Sequence, residues 1–292
     1  MLVFFLIKTM FRSIQMCSIF FLLFAFGLYG HIYDYETPTA KYLRNIEISE
    51  LDSGMPGIDC IYVVNLDARP RKWAVMQDIL HGFNLRANRI SAVNGWALSK
   101  AERDELLGSY RNKSSMNGGH IGCLLSHISI MKDAYNRGFQ KIWILEDDTR
   151  FNEAPYILPD LLDELNRLDP DWDVFYTDTD VFHPSRKITR NSAPPYFRPD
   201  QKYPLGSFYT RRWQVSPNIF RIRYRYGTYS MLISKKGIEK LLYHFTHTYI
   251  YSPIDRDMHH VPYIKEYCYT REMTYPDMEI SDTCKPIVKE NP

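Results

Sequence analysis

The sequence predicts an α/β domain with parallel strands, and two observations carry that prediction. Short apolar runs with β-branched residues alternate along the chain with stretches of helical periodicity, in the order strand, helix, strand, helix, helix, strand between residues 60 and 148. Two of the strands, ending at Leu145 and at Thr177, run out of apolar residues directly into acids, Glu146-Asp147-Asp148 and Asp178 with Asp180. In open α/β sheets the carboxyl edge of the strands is where ligands bind.

The bulk composition fits one large domain. The 292 residues are 45% hydrophobic and 24% charged, as in an ordinary globular protein. The net charge of +2 is too small to make nucleic acid the main partner.

Residues 1–33 stand apart from this domain. No formal charge lies between Arg12 and Asp34, and the run contains Ile19 to Phe26, all apolar. Its length is close to the roughly 20 residues that cross a bilayer. Lys8 and Arg12 precede it and Asp34 and Glu36 follow, which sets the amino end in the cytoplasm and carries the rest across. The segment reads as an uncleaved signal-anchor of a single-pass membrane protein. Its globular part would face the lumen of the secretory pathway or the periplasm. The alternative is a cleaved signal peptide and a secreted chain. Asn112-Lys113-Ser114 is an acceptor sequon. Of five Cys, four lie beyond the apolar run, and Cys268 with Cys284 is one permitted disulfide.

Residues 34–57, polar and carrying Pro38, Gly54, Pro56 and Gly57, read as a stem or linker. The main domain is expected over 58–273. Cys60 to Leu66 is its first strand, and Asp67-Ala68-Arg69-Pro70 opens a helix, with Pro70 suited to the first turn. Arg69 and Arg71 flank that helix start, where free backbone N–H groups favour a phosphate. Solvated arginines are the alternative. Arg89 to Val93 is a second strand, closed by Asn94-Gly95. Ser99 and Glu102 have capping-box spacing at the start of the next helix. Ile121, Leu124, Leu125, Ile128, Met131 and Tyr135 give clear helical spacing over 120–137, and Gly138 stops that helix. Ser126 and His127 lie within it.

The strand Lys141 to Leu145 then delivers the acid triplet. Three adjacent carboxylates raise one another's pKa unless a cation is present, and oxygen ligands suit Mg²⁺ or Mn²⁺. Alternation along an extended chain would put Glu146 and Asp148 on one side and Asp147 on the other. A helix over 158–168 and a strand from Trp172 to Asp178 follow. From Arg186 to Arg225, ten Lys or Arg face one acid, Asp200, among interspersed prolines, so this stretch reads as a basic, loop-rich insert. Gly227 to Ser234 is a strand, Lys236 to Phe245 an amphipathic helix, and Tyr251 to Asp255 a short apolar run ending in an acid. The tail, 274–292, reads as irregular.

Four separated pieces make the sequence resemble glycosyltransferase family 25, the family of bacterial lipooligosaccharide and of collagen galactosyltransferases. They are Ile61-Tyr-Val-Val-Asn-Leu66 with Arg69 and Arg71; Ala92-Val-Asn-Gly95; Gly122-Cys-Leu-Leu-Ser-His127 with Ile144-Leu-Glu-Asp-Asp148; and Gly227-Thr with Leu232-Ile-Ser234, Gly237, Lys240-Leu-Leu242 and Pro253-Ile-Asp255. Asn94 stands where that family often has Asp, and Met231 where an aromatic is common. The resemblance implies a GT-A-like domain with a mostly parallel central sheet that binds a nucleotide sugar. It implies inverting transfer of galactose or a related hexose from a UDP-sugar to a glycan, lipid-linked glycan or glycoprotein acceptor. It also implies donor-binding roles for Val64, Asn65, Arg69, Arg71, Asn94, Ser126 and Asp147. Glu146 and Asp148 would hold the divalent ion. Asp255, then Asp178, then His127 are the candidates for the general base that inversion requires. A catalytically inactive, membrane-anchored glycan-binding or scaffold protein of the same fold is the competing reading. Nucleotidyl transfer is a third, and it lacks a Gly-rich phosphate loop here.

Overall fold

The computed structural model describes residues 38–179, 198, 199, 202, 206–209, 211–277 and 282. The apolar run, Asp180, most of the basic insert up to Tyr203 and Cys284 lie outside these residues. Among the described residues no helix is long and apolar enough to cross a membrane.

The strands are β1 (Cys60–Asn65), β2 (Asn88–Ser91), β3 (Lys141–Glu146), β4 (Thr149–Phe151), β5 (Val174–Tyr176), β6 (Arg212–Gln214), β7 (Ile219–Ile222), β8 (Ser230–Ser234), β9 (Glu266–Tyr269) and β10 (Thr274–Pro276). The helices are α1 (Pro70–Gly82), α2 (Lys100–Leu107), α3 (Gly118–Asn136), α4 (Leu158–Leu168), α5 (Gly206–Tyr209), α6 (Lys235–His247) and α7 (Ile254–Asp257). Eight strands form one sheet in the order β2-β1-β3-β8-β5-β9-β7-β6, and β4 pairs with β10 in a small separate ladder.

The sheet is mixed. β1 runs parallel to β2 and to β3, and β5 runs parallel to β9; the other four pairings are antiparallel. The expected parallel arrangement therefore holds around β1. It is interrupted where β8 enters between β3 and β5 in the opposite sense.

The continuous apolar runs follow from burial on both faces. Cys60 and Tyr62 of β1 and Ile142 and Ile144 of β3 face one core, shared with α3 and α6. Ile61, Val63, Trp143 and Leu145 face a second core, shared with α1 and α4. The result is a helix–sheet–helix sandwich with the ends of β1, β2 and β3 open at one edge.

Several boundaries differ from the sequence reading for physical reasons. Residues 43–57 form no regular element, yet Leu43, Ile46 and Ile48 pack on the first core and Met55 and Ile58 are buried in the second. The basic stretch contains the antiparallel hairpin β6–β7, which extends the main sheet. Its arginines do not break the strands, because Arg212 and Arg221 lie over the rings of Phe220 and Tyr267. The tail begins with β10, which pairs with β4 just beyond the acid triplet. Elsewhere the local signals hold: Ser99 caps α2 in a two-way capping box with Glu102, and Gly138 takes a left-handed φ of 74° after α3.

Candidate active site

The carboxyl ends of β1, β2 and β3 open into a cleft. Val64 and Leu66 line it from the end of β1, Ala92 to Trp96 from the turn after β2, and Glu146, Asp147 and Asp148 from the end of β3. Gly119, Gly122, Cys123 and Ser126 on the first turns of α3 form another wall. Lys72 on α1 and Asp282 from the chain's far end complete it.

Close packing at one point builds this wall. A Cβ on Gly122 would lie 2.3 Å from the Val93 carbonyl oxygen, and one on Gly95 would lie 2.0 Å from the Gly118 carbonyl oxygen. Only glycine lets α3 approach the β2 turn so closely. Ser126 ties the two together, since its Oγ accepts from the Val93 N–H at 2.8 Å and donates to the Gly122 carbonyl at 2.7 Å. Asn94 shapes the same turn by accepting from the Trp96 N–H at 3.1 Å. Ser126 and Asn94 thus have structural bonds as well as a place on the cleft wall.

The acid triplet leaves the strand in a turn, so strict alternation ends and all three carboxylates reach the cleft. Their environments differ. Glu146 Oε1 accepts from the Thr228 hydroxyl at 2.7 Å and lies 3.4 Å from His127 Nε2. Burial alone would raise its pKa, but His127 and Thr228 outweigh burial and hold Glu146 below the usual carboxylate range. Asp147 Oδ2 accepts from Asn65 Nδ2 at 2.7 Å, and its Oδ1 is 3.7 Å from Lys72 Nζ. Burial pushes Asp147 up to about 6. Asp148 is pushed well above the usual range, first by burial and then by the charges of Glu146 and Asp147. Its Oδ1 is buried and has no hydrogen-bond partner among the described residues.

An orphaned, desolvated carboxylate oxygen beside two other acids fits a cation, so the residues pass the test for a divalent ion with oxygen ligands. Cys123, His127 and Glu146 also offer ligand atoms within 4.8 Å of one another, a sulfur–nitrogen–oxygen set suited to softer metals.

The remaining expected residues fall in different settings. Asn65 is buried and central: besides Asp147, it donates to the Arg69 carbonyl at 3.0 Å and accepts from Arg89 Nε at 2.7 Å. Neither Arg69 nor Arg71 is among the residues lining the cleft: Arg69 is half-buried and pairs with Asp282, which does line it, and Arg71 is exposed. Asp255, half-buried on α7, accepts from the Gly227 N–H at 2.9 Å, and its charge helps burial and Glu146 to push the Cys123 thiol up. Gly227 holds that geometry with a φ of 79°, in the left-handed region. Neither Asp255 nor Asp178 is among the residues lining the cleft, and Asp178 is sealed off from solvent. It is buried in a pair with Arg225 Nη1 at 2.9 Å, and the Arg225 guanidinium lies 4.2 Å from the centre of the Tyr176 ring. His127 is fully buried and reaches the cleft only through Glu146.

Sequence reasoning missed Lys72, Thr228 and Asp282. Lys72 had a signal, since it lies three residues after Arg69 and so on the same face of the first turn. Thr228 lay inside a quoted motif without a role, and nothing local marks Asp282.

Residues 58–258 match the family described as glycosyltransferase family 25 (LPS biosynthesis protein). Procollagen galactosyltransferase 2 of Homo sapiens is 28% identical over 194 residues, covering 64% of this chain and 28% of that protein. A glycosyltransferase 25 family member of Aedes aegypti is 30% identical over 196 residues, covering 64% and 28%. The human inactive glycosyltransferase 25 family member 3 is 29% identical over 147 residues, covering 47% and 24%. The matched part spans about a quarter of the length of these relatives. The match reaches from β1 through α7 and takes in the acid triplet, Asp255 and every cleft-lining residue named above except Asp282: the chain belongs to glycosyltransferase family 25.

Proposed function

We propose that this protein is a metal-assisted glycosyltransferase that moves galactose or a related hexose, with inversion, from a UDP-sugar to a hydroxyl of a glycan, lipid-linked glycan or glycoprotein acceptor. The observation that carries the reading is Asp148 Oδ1, buried and without a hydrogen-bond partner among the described residues, beside two other carboxylates at the carboxyl edge of the sheet, in a cleft that Lys72 also lines. Glu146 and Asp148 would hold the divalent ion, which supplies Lewis-acid neutralisation of the diphosphate leaving group.

The chain's own residues do the rest. His127 and Thr228 orient Glu146, and Asn65 orients Asp147. Asp255, fixed by the Gly227 N–H, takes the proton of the acceptor hydroxyl as that oxygen attacks the sugar's anomeric carbon. Asp178 is better suited to holding Arg225 than to accepting a proton, because both are sealed from solvent. The kept acids favour an active enzyme over the inactive reading. The uncharged run before Asp34 supports an amino-terminal anchor, with the catalytic domain on the far side of the membrane.

The test is transfer and hydrolysis with a panel of UDP- and GDP-sugars, with Mn²⁺ and with a chelator. Metal-dependent turnover of a UDP-hexose supports the reading. Absence of nucleotide-sugar binding and turnover across the panel leaves the glycan-binding scaffold.

A further inference from the structure

Lys72, which lines the cleft, and Arg69 converge on the carboxylate of Asp282, more than 200 positions further along the chain. Arg69 Nη2 donates to Asp282 Oδ1 at 2.6 Å, and Arg69 Nε lies 3.0 Å from both carboxylate oxygens. Lys72 Nζ donates to Asp282 Oδ2 at 2.6 Å. Lys72 is only 8% exposed, and its other acid, Asp147, is 3.7 Å away. A lysine buried to this degree needs an anion close by, because an uncompensated ammonium in a low-dielectric site is costly.

The fork of a guanidinium with an ammonium beside it matches a phosphate as well as a carboxylate. Three features set this contact apart from an ordinary ion pair. Asp282 lines the same cleft as the acid triplet. Lys72 connects it directly to Asp147 of that triplet. Asp282 also lies beyond residues 58–258, the part matched by the family, so the clamp belongs to the family region and its occupant does not. A diphosphate entering the cleft would need the N–H groups that Asp282 now uses, and both anions cannot hold them at once.

We propose that Arg69 and Lys72 form a diphosphate-binding subsite, and that Asp282 is the chain's own anion, which a nucleoside diphosphate must displace. The proposal rests on the nucleotide-donor reading of the cleft. It makes Asp282 an intramolecular competitor: its removal strengthens nucleotide binding, whereas removal of a residue that merely positioned Arg69 and Lys72 would weaken it.

The experiment is calorimetric titration of the full chain in detergent with UDP, and separately with inorganic pyrophosphate, for the wild type, Asp282→Asn, Asp282→Glu and Lys72→Met. Thermal unfolding of each variant checks that it is folded. Asp282→Asn is expected to bind both probes about tenfold more tightly, in line with the loss of competing charged hydrogen bonds. Asp282→Glu, which keeps the charge, is expected to stay near the wild type, and Lys72→Met to lose both probes. Equal or weaker UDP binding by Asp282→Asn, with UDP binding intact in the wild type, overturns the displacement proposal alone. UDP binding by none of the proteins overturns it together with the nucleotide-donor reading.

Discussion

The hydroxyl of Thr228 donates to Glu146 Oε1 across 2.7 Å and ties the strand that ends in the acid triplet to the loop that holds Asp255. Thr228 is buried, and the backbone on either side of it is engaged as well: Gly227 N–H donates to Asp255, and the Tyr229 carbonyl accepts from the Glu146 N–H at 2.9 Å. Removing the hydroxyl frees the carboxylate to rotate. Thr228→Val is expected to weaken Mn²⁺ affinity or turnover by roughly 10–100-fold, the usual cost of losing a group that orients a metal ligand. Thr228→Ser should restore most of it. Metal titration and kcat for both variants check this, and equal losses in the two would show that shape, not the hydroxyl, matters at this position.

Asp148 gives a prediction in two directions. Its carboxylate is buried, crowded by two acids and without a partner for Oδ1. Asp148→Asn should abolish transfer, yet raise the stability of the metal-free protein by about 1–2 kcal/mol, as is common when a strained functional group is removed. Thermal unfolding in chelator and in Mn²⁺ measures both effects. Wild-type protein should gain stability with Mn²⁺ and the variant should not. An equal gain in both would remove Asp148 from the ion's ligands.

Asp255 and Asp178 should separate cleanly. Asp255→Asn keeps a group able to stay near the Gly227 N–H but cannot take a proton. It should lower kcat by roughly 10²–10⁴-fold with UDP affinity nearly unchanged. Asp178→Asn leaves Arg225 buried without its counter-charge and should cost about 3–5 kcal/mol of stability. Denaturant unfolding beside steady-state kinetics distinguishes them. Full stability with lost turnover in Asp178→Asn would reverse the two roles.

A buried histidine makes stability depend on pH. Burial alone would lower the His259 imidazole, but the Glu266 carboxylate, 2.7 Å from Nδ1, together with the Arg225 backbone and the charge of Asp255, raises it above the ordinary histidine value. A raised pKa in the folded state means that the contribution is complete below about pH 6.5, the unfolded value, and is lost as pH climbs through the folded one. Urea unfolding of wild type and Glu266→Gln between pH 6 and pH 9 should give a stability difference that shrinks as pH rises. A difference that stays constant would show that the pair acts through packing alone.

The half of the domain around β1 was legible because its signals are local. Cys60 to Asn65 and Ile142 to Leu145 are buried on both faces and so read as unbroken apolar runs, and the 3.6-residue period of α3 is set by a helix with most of one side in the core. The acid triplet was legible for the same reason, as an abrupt end to such a run. β9, four residues with Glu266 at its start, was not, since its burial comes from neighbours far away in sequence. The hairpin β6–β7 was hidden by arginines whose aromatic partners, Phe220 and Tyr267, lie across the ladder. Asp178 looked like Asp148 in sequence, an acid after an apolar strand. Only the placement of Arg225, 47 positions further on, distinguishes them.

The pairing of β10 with β4 has a consequence for how the protein is made. Pro276 sits opposite Thr149, Thr274 opposite Phe151, and the Asp277 N–H donates to the Asp148 carbonyl at 2.8 Å. The turn that carries the acids is thus clasped by a segment synthesised more than a hundred residues after it. A ribosome that has delivered the whole region from β1 to α7 has produced most of both cores but not this clasp. Closing it joins positions far apart along the chain, a step that costs loop entropy and favours late formation. The backbone around Asp148 is therefore expected to take its final path late, once the closing segment is available to pair with it.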